Sequence, residues 1–314
     1  MLNQLIDDRL AGAKNVLVAG AGGGYDVVCG VPLIIGLAKR GINVYVASLS
    51  STPINDIDGG VVHRPELVEA TATSTRPSYF PEGWLSRWLT DRLGRDVSVY
   101  CFGATGVGPL HASYQYLIEK MAIDAVIAVD GGVDSLLRGG EYSLGSPLED
   151  ALTLAALSLI DGPDRILAAV GFGAERLDRI SHAQVLARIA DLQGAGAWLG
   201  AEALTGTAAD DMQAAGKYIL SNQQGMHNSV VVGSVLASLM GKFGDHAVTP
   251  HSVNTPPWVS PLMSLFWYFD LAEVARQNLY LSRLLNTSTF GEVAEALGGF
   301  VRTRPKRGWE EIPI

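Results

Sequence analysis

The sequence contains few cysteines. Its 314 residues include only Cys29 and Cys101, which is too few for a disulfide framework and does not match the spacing of zinc ligands. Each cysteine stands in or beside an apolar run, so we expect two buried free thiols. The six histidines form no H-E-x-x-H motif, which also argues against zinc.

Basic charge is scarce as well. The 23 Lys and Arg residues are outnumbered by 32 Asp and Glu residues, which gives a net charge of −9. A nucleic-acid backbone is bound by a basic face, so we expect no nucleic-acid partner. A small anionic ligand remains compatible with this charge because it needs only a few local donors. The basic residues at 302–307 are interpreted as a solvated tail.

No uninterrupted apolar stretch reaches membrane-spanning length, and residues 1–8 lack the pattern of a signal peptide. We therefore expect a cytoplasmic protein with no membrane partner. The segment 259–271 is apolar and aromatic, but it is short and contains Pro261. It is predicted as a buried helix.

The order of apolar segments predicts an α/β fold. An apolar strand over 15–20 enters a glycine run, a helix over 25–40 ends at a glycine, and a second strand covers 43–49. This order is a βαβ unit, which implies parallel pairing. Further strands are predicted at 97–102, 125–130 and 166–171, and helices at 109–122, 147–161 and 181–193.

We therefore predict a single α/β domain over 1–314 with a doubly wound, mostly parallel, Rossmann-like sheet. Residues 50–91 are rich in Pro, Ser and Thr and are predicted as an irregular insertion lying over the sheet as a lid. From about residue 205 the strand signal fades. The rest is predicted as mainly helical, with helices over 208–221, 228–241, 261–285 and 289–298.

The glycine run Gly20–Gly24 follows the first strand, and open α/β sheets bind ligands at such strand ends. Its backbone N–H groups and the next helix N-terminus favour a phosphate or carboxylate. The run is not a dinucleotide motif because Tyr25 stands where G-x-G-x-x-G needs its third glycine and 48–50 contains no acid. Neither NAD nor flavin is favoured. The predicted ligand-binding glycines of the run are Gly22, Gly23 and Gly24.

Acidic residues follow two of the predicted strands. Asp26 lies in the first turn of a helix, where the macrodipole favours a carboxylate, and Asp130 and Asp134 follow the strand over 125–130. Carboxylates of this kind suit Mg²⁺, so Asp26, Asp130 and Asp134 are the predicted metal ligands, and Asp130 and Asp134 are also predicted to be catalytic. The neighbouring ligand-binding candidates are Gly131, Gly132, Ser135 and Glu141, with Arg138 as a catalytic residue that neutralises a phosphate.

Ser146, Pro147 and Glu149 have the spacing of a helix start with a capping box. Glu149 and Asp150 are therefore interpreted as structural residues.

A polar segment before a later helix supplies further candidates. His227 is predicted as a general base, flanked by the ligand-binding residues Asn222 and Asn228. Glu175 follows the strand over 166–171 and is predicted to reach the site from a neighbouring strand end. The sequence has no G-x-S-x-G elbow, so covalent serine catalysis is not supported.

Two motifs together resemble a known family. Residues 20–27 are similar to its glycine-aspartate signature, and residues 130–141 with 144–150 are similar to its second signature. The family is domain-of-unknown-function family 1152, an uncharacterised group of archaeal and bacterial proteins. Here Val133 and Ser146 stand where Thr is expected. The resemblance implies that both motifs form one site, but it supplies no activity.

These observations predict an enzyme, a hydrolase or transferase, that acts on a phosphorylated or nucleotide-like small molecule with Mg²⁺. A homo-oligomer is expected. One alternative is a non-catalytic nucleotide or metabolite sensor, which uses the same glycine run without needing the acids. A further alternative is an oxidoreductase with an atypical dinucleotide site.

Overall fold

The computed structural model describes residues 4–76, 78–223 and 228–313. The strands are β1 Asn15–Gly23, β2 Asn43–Leu49, β3 Val61–Arg64, β4 Leu67–Ala70, β5 Val99–Phe102, β6 Ala125–Gly131, β7 Asp164–Val170, β8 Trp198–Ala203, β9 Gly244–Asp245, β10 Trp258–Val259 and β11 Leu265–Asp270. The helices are α1 Gln4–Arg9, α2 Asp26–Cys29, α3 Val31–Lys39, α4 Pro81–Leu93, α5 Val107–Met121, α6 Pro147–Ser158, α7 His182–Gly194, α8 Gly206–Asn222, α9 Val230–Leu239, α10 Leu271–Gln277 and α11 Phe290–Thr303.

A nine-stranded sheet forms the centre of the fold, in the order β3-β4-β5-β2-β1-β6-β7-β11-β8. The five inner strands from β5 to β7 are parallel, and on both sides each outer strand pairs antiparallel with its neighbour. Two large apolar clusters cover the two faces of the sheet. Burial on both faces explains why β1 is a continuous apolar run and does not alternate.

The chain reverses its direction of travel across the sheet between β1 and β6. It first moves outward from β1 to β2 and β5, and it then returns to add β6 and β7 on the other side of β1. Parallel sheets open a crevice at the carboxyl ends of the strands where the order reverses. The fold therefore places the ends of β1 and β6 side by side at such a crevice.

The predicted helix over 25–40 is present as two pieces, α2 and α3, joined at Gly30. α3 ends at Lys39, and Gly41 follows with φ +80°, as the cation and glycine at the predicted end require. β1 continues through the glycine run as far as Gly23, and within the run only Gly24 has a left-handed φ, of +52°.

Residues 50–91 do not form the predicted irregular insertion. β3 and β4 make a hairpin, and β4 pairs antiparallel with β5, so the hairpin extends the edge of the sheet. The segment ends in α4, with Pro81 in the first turn and Gly94 in a left-handed conformation after the last one. Pro53, Pro65 and Pro81 lie outside β3 and β4, where they cost no ladder hydrogen bond.

The prediction of a mainly helical C-terminal part, including a buried helix over 259–271, was wrong at its centre. Residues 265–270 form β11, which pairs antiparallel with β7 and with β8. The sequence Leu-Phe-Trp-Tyr-Phe-Asp is rich in aromatics, which fit a half-buried sheet surface better than a helix. In the described part of the chain, no helix is both long and apolar enough to cross a membrane.

Candidate functional site

Six carboxyl groups meet around the crevice between β1 and β6. Asp26 follows β1, Asp130 lies at the end of β6, and Glu175 follows β7. Glu149 and Asp150 come from the first turn of α6. We call the following six residues the acidic cluster: Asp26, Asp130, Asp134, Glu149, Asp150 and Glu175.

Three members of the acidic cluster have the geometry of a metal site. Asp26, Asp130 and Asp150 each offer a carboxylate oxygen, and these oxygens lie within 4.8 Å of one another. Two oxygens on opposite sides of a Ca²⁺ ion lie about 4.6–5.2 Å apart, and around Mg²⁺ they lie about 4.0–4.2 Å apart. One divalent cation can therefore contact all three groups after small side-chain movements.

Local hydrogen bonds fix the first two carboxylates. Asp26 accepts a hydrogen bond from the N–H of Gly22 at 2.7 Å and another from the N–H of Gly131. Asp130 accepts from the N–H of Ser135 at 3.2 Å and from its hydroxyl. These donors set the carboxylate orientations without supplying a positive charge.

Asp150 differs from these two residues. The residue is 7% exposed, and its Oδ1 has no hydrogen-bond partner among the described residues. An added Cβ at Gly22 would lie 2.9 Å from this oxygen, so Oδ1 faces the end of β1. A buried carboxylate oxygen without a donor is costly, and a bound cation would remove that cost.

Asp134 and Glu175 form a second group within the acidic cluster. Glu175 accepts the N–H of Val133 at 3.0 Å and is hydrogen-bonded to Asp134. Asp134 accepts the N–H of Ser146 at 2.9 Å. The carboxyl groups of Asp134 and Glu175 therefore lie in direct contact with each other.

Burial raises the pKa of most of these carboxyl groups. It raises the pKa of Asp26 to about 7, with a contribution from the charges of Asp134 and Glu149. Burial and neighbouring acids together raise the pKa values of Asp130, Asp150 and Glu175 well above the ordinary range. Within residues 4–76, 78–223 and 228–313, no ion pair involves the acidic cluster.

The glycines of both motifs make room for the carboxylates. An added Cβ at Gly22 or Gly131 would lie 2.7 Å from an oxygen of Asp26, and at Gly23 it would lie 2.8 Å from Cδ of Glu149. At Gly132 it would lie 2.5 Å from Oε1 of Glu175. Any other residue at these positions would push the acids apart.

The predicted use of the glycine N–H groups looks different in the structure. The N–H of Gly22 donates to Asp26, that of Gly23 to Glu149, and that of Gly24 to the carbonyl oxygen of Leu49. All three donors therefore have internal acceptors, and an external anion would have to displace them.

Arg138 and Glu141 stabilise the turn over residues 138–141. Arg138 is exposed, and its Nε donates to the carbonyl oxygen of Gln277 at 3.1 Å. Glu141 is buried and accepts the N–H groups of Arg138 at 2.9 Å and Gly139 at 2.8 Å. These bonds occupy Glu141 and direct Arg138 toward a main-chain carbonyl and not toward the acidic cluster.

The polar segment before α9 contributes little to the described site. Asn222 ends α8, and its Nδ2 donates to the carbonyl oxygen of Tyr218 at 2.8 Å. Asn228 is exposed. His227, the predicted general base, lies outside the described residues.

Sequence reasoning missed the roles of Glu149 and Asp150. Ser146 is the N-cap of α6, but its side chain makes no capping hydrogen bond, so the predicted capping box is absent. The sequence did contain a signal for Asp150. Leu154 is apolar and lies four residues further on, so both side chains lie on the same face of α6, and the structure buries both. An acid on the apolar face of a helix needs a reason, and here it is the acidic cluster.

A cleft of about 460 Å³ lies over the ends of β2 and β5 beside the acidic cluster. Thr52 anchors the loop above it through a 2.7 Å hydrogen bond to the carbonyl oxygen of Tyr79. Glu149 belongs to both the cleft and the acidic cluster, so the two are connected. The polar residues that line the cleft are Ser50, Ser51, Thr52, Asn55, Glu66 and Glu149.

Comparison with known proteins gives one match. A search of curated proteins and a search of solved structures found no similar protein. The family model described as "Protein of unknown function (DUF1152)" matches residues 17–301 and includes every member of the acidic cluster. The chain therefore belongs to the DUF1152 family.

Proposed function

We propose that this protein is a divalent-metal-dependent enzyme that hydrolyses, or transfers a group from, a phosphorylated or nucleotide-like small molecule. The observation that carries the proposal is the buried carboxyl group of Asp150, whose Oδ1 has no partner among the described residues and which has an oxygen within 4.8 Å of carboxylate oxygens of Asp26 and Asp130. A cation at this point would satisfy that oxygen and offset the charge of buried Asp130 and Asp150 and of half-buried Asp26.

The metal ligands in this proposal are Asp26, Asp130 and Asp150. The sequence predicted Asp134 as the third ligand. We propose Asp150 in its place, because Asp134 is hydrogen-bonded to Ser146 and Glu175. A hard cation with oxygen ligands, such as Mg²⁺, polarises a phosphoryl oxygen and lowers the pKa of a bound water. It would also overcome the repulsion between a phosphate and the acidic cluster.

Glu149 is the candidate for proton transfer. It reaches from the acidic cluster into the cleft, and burial raises the pKa of its carboxyl group toward the range where general acid–base catalysis is efficient. The other polar side chains that line the cleft are hydroxyl, amide and carboxylate groups, which suit a polar substrate.

The fold supports the same proposal. The five inner strands, taken in chain order as 1 to 5, have the spatial order 3-2-1-4-5, which is that of one half of a Rossmann-type sheet and its first neighbours. We propose that the sheet is doubly wound and Rossmann-like and that its ligand lies at the switch point between β1 and β6.

The test is phosphate release from a panel of phosphate esters, measured with Mg²⁺ or Mn²⁺ and with EDTA. We expect turnover only with the metal, and the Asp130→Asn variant should lose at least about 100-fold, since even indirect supporters of a metal are worth up to that factor. Asp161→Asn, an exposed acid outside the acidic cluster, is the matched control. Equal turnover in Asp130→Asn and wild type would refute the proposal, and binding without product would favour the sensor.

A further inference from the structure

The cleft beside the acidic cluster has carboxylates but no cation along its walls. Glu66 and Glu149 both line it, and none of the described lining residues is Lys or Arg. The volume of about 460 Å³ lies within the range of small-molecule sites, about 300–1,000 Å³. A ligand in the cleft therefore meets hydrogen-bond acceptors and neutral surface.

Glu66 is available to a ligand. Its carboxylate makes no hydrogen bond or ion pair with another described residue, and an added Cβ at Gly103 would lie 3.4 Å from its Oε2. Gly103 directly follows β5, so Glu66 lies over the end of that strand. Glu149 lies over Gly23 of β1, which is separated from β5 by β2 in the sheet.

The order of the polar groups along the crevice indicates which ligand chemistry fits there. The metal ligands lie over β1 and β6, Glu149 follows, and Glu66 lies over β5 on the far side of β2. Carboxylates accept hydrogen bonds from hydroxyl groups and repel phosphates. Phe290 and Ile54 supply apolar surface along the same cleft, against which the carbon face of a ring can pack.

We infer that the substrate is a monophosphate ester whose organic part carries hydroxyl groups, and that Glu66 selects this part while excluding a second phosphate. The inference rests on the proposed function, because the single phosphoryl group is placed at the proposed metal. Sugar monophosphates and nucleoside monophosphates share this chemistry.

The experiment compares dissociation constants from thermal-shift titrations of the full chain in Mn²⁺. The ligands are ribose 5-phosphate, 2-deoxyribose 5-phosphate, AMP, 2′,3′-dideoxy-AMP and ADP. For wild type we expect the hydroxylated monophosphates to bind about tenfold more tightly than their deoxy forms and than ADP, the factor expected for one hydrogen bond to a charged group. The tighter binder of ribose 5-phosphate and AMP shows whether the substrate is a sugar monophosphate or a nucleoside monophosphate.

Variants of Glu66 sharpen the comparison. Glu66→Gln should lose about tenfold for the hydroxylated ligand and less than about twofold for its deoxy form, whereas Glu66→Lys should strengthen ADP binding. Glu295→Gln, an exposed acid outside the cleft, should change neither. Equal binding of hydroxylated and deoxy ligands, or tighter binding of ADP by wild type, would overturn the inference alone. Absence of any Mn²⁺ binding would overturn the proposed function with it.

Discussion

Asp150 has a buried carboxylate oxygen without a donor, surrounded by other acids. Such a group destabilises the metal-free protein and stabilises the metal-bound one, because only the cation offers it a partner. The same residue therefore affects stability in opposite directions with and without metal.

The Asp150→Asn substitution separates the two effects. Without metal, Tm should rise by about 1–2 °C, the shift that about 1 kcal/mol gives in a chain of 314 residues at about 2.1 cal/mol/K of unfolding entropy per residue, because the cost of burying an ionisable acid is removed. The stabilisation by Mn²⁺, which for wild type is about 2.7 kcal/mol at a hundredfold excess over Kd, should disappear. Differential scanning calorimetry with and without Mn²⁺ measures both effects. A lower metal-free Tm together with an intact Mn²⁺ shift would contradict this assignment.

Gly22 is the other residue on which the geometry depends. An alanine Cβ there would lie 2.7 Å from Oδ2 of Asp26 and 2.9 Å from Oδ1 of Asp150, closer than any normal contact. We expect Gly22→Ala to weaken Mn²⁺ binding by at least about tenfold and to lower Tm, since overpacking costs about 1–3 kcal/mol.

Gly36→Ala is the matched control for that substitution. Gly36 lies inside α3, and an added Cβ meets nothing within 4 Å. The control should raise stability by about 0.5–1 kcal/mol, as Ala does in place of Gly in a helix. If both substitutions had the same effect on Tm and on Mn²⁺ affinity, the close approach of the two carboxylates to Gly22 would not matter for metal binding.

Individual elements show what the sequence can and cannot predict. The parallel centre of the sheet followed from apolar runs that alternate with helices, and the strand-end acids Asp26 and Asp130 followed from their position after those runs. β11 could not be recognised, because a short aromatic run fits a buried helix as well as a strand. Its neighbours β7 and β8, which supply its hydrogen bonds, are distant in the chain.

The start of α6 shows a different limit. The spacing of Ser146, Pro147 and Glu149 is that of a capping box, yet Glu149 instead accepts the N–H of Gly23. Local spacing could not reveal this acceptor role, because Gly23 belongs to β1, more than a hundred residues away in the chain. The tertiary contact replaces the local one and places Glu149 in the acidic cluster.

The free energy lost when an N-cap serine is changed to Ala tests this interpretation of α6. Ser146→Ala should change the free energy of unfolding by less than about 0.5 kcal/mol, because no capping hydrogen bond is lost. Ser229, whose side chain accepts the N–H of Val232 at 3.1 Å at the start of α9, should cost about 1 kcal/mol when changed to Ala. Urea unfolding of both variants measures the two free-energy costs. An equal cost would show that Ser146 does cap α6.

At the scale of the whole molecule, the acidic cluster couples stability to pH. The pKa of Asp26 is raised to about 7 from an ordinary value near 3.8, so between these values the folded protein binds more protons than the unfolded chain. Its stabilising contribution is complete below about pH 4 and is lost as the pH rises through about 7. The slope for one such group is at most about 1.4 kcal/mol per pH unit.

We therefore expect the Tm of metal-free protein to fall between pH 5 and pH 7.5, and the slope to become shallower in Asp26→Asn. Bound metal should reverse the trend, because a cation competes with protons for the same carboxylates. The Mn²⁺-induced rise in Tm should grow with pH across this range. A metal-free Tm that does not depend on pH, or a metal shift that shrinks as the pH rises, would argue against a protonated cluster.

The central claim is that Asp26, Asp130 and Asp150 bind one divalent cation. Its most direct measurement is a Mn²⁺ titration of chelator-treated protein, with free Mn²⁺ followed by electron paramagnetic resonance. Wild type should remove Mn²⁺ from solution with saturable one-to-one stoichiometry, and Asp130→Asn and Asp150→Asn should each lose at least about tenfold in affinity while Asp161→Asn does not. Failure of wild type to bind, or equal affinity in all four proteins, would contradict the account.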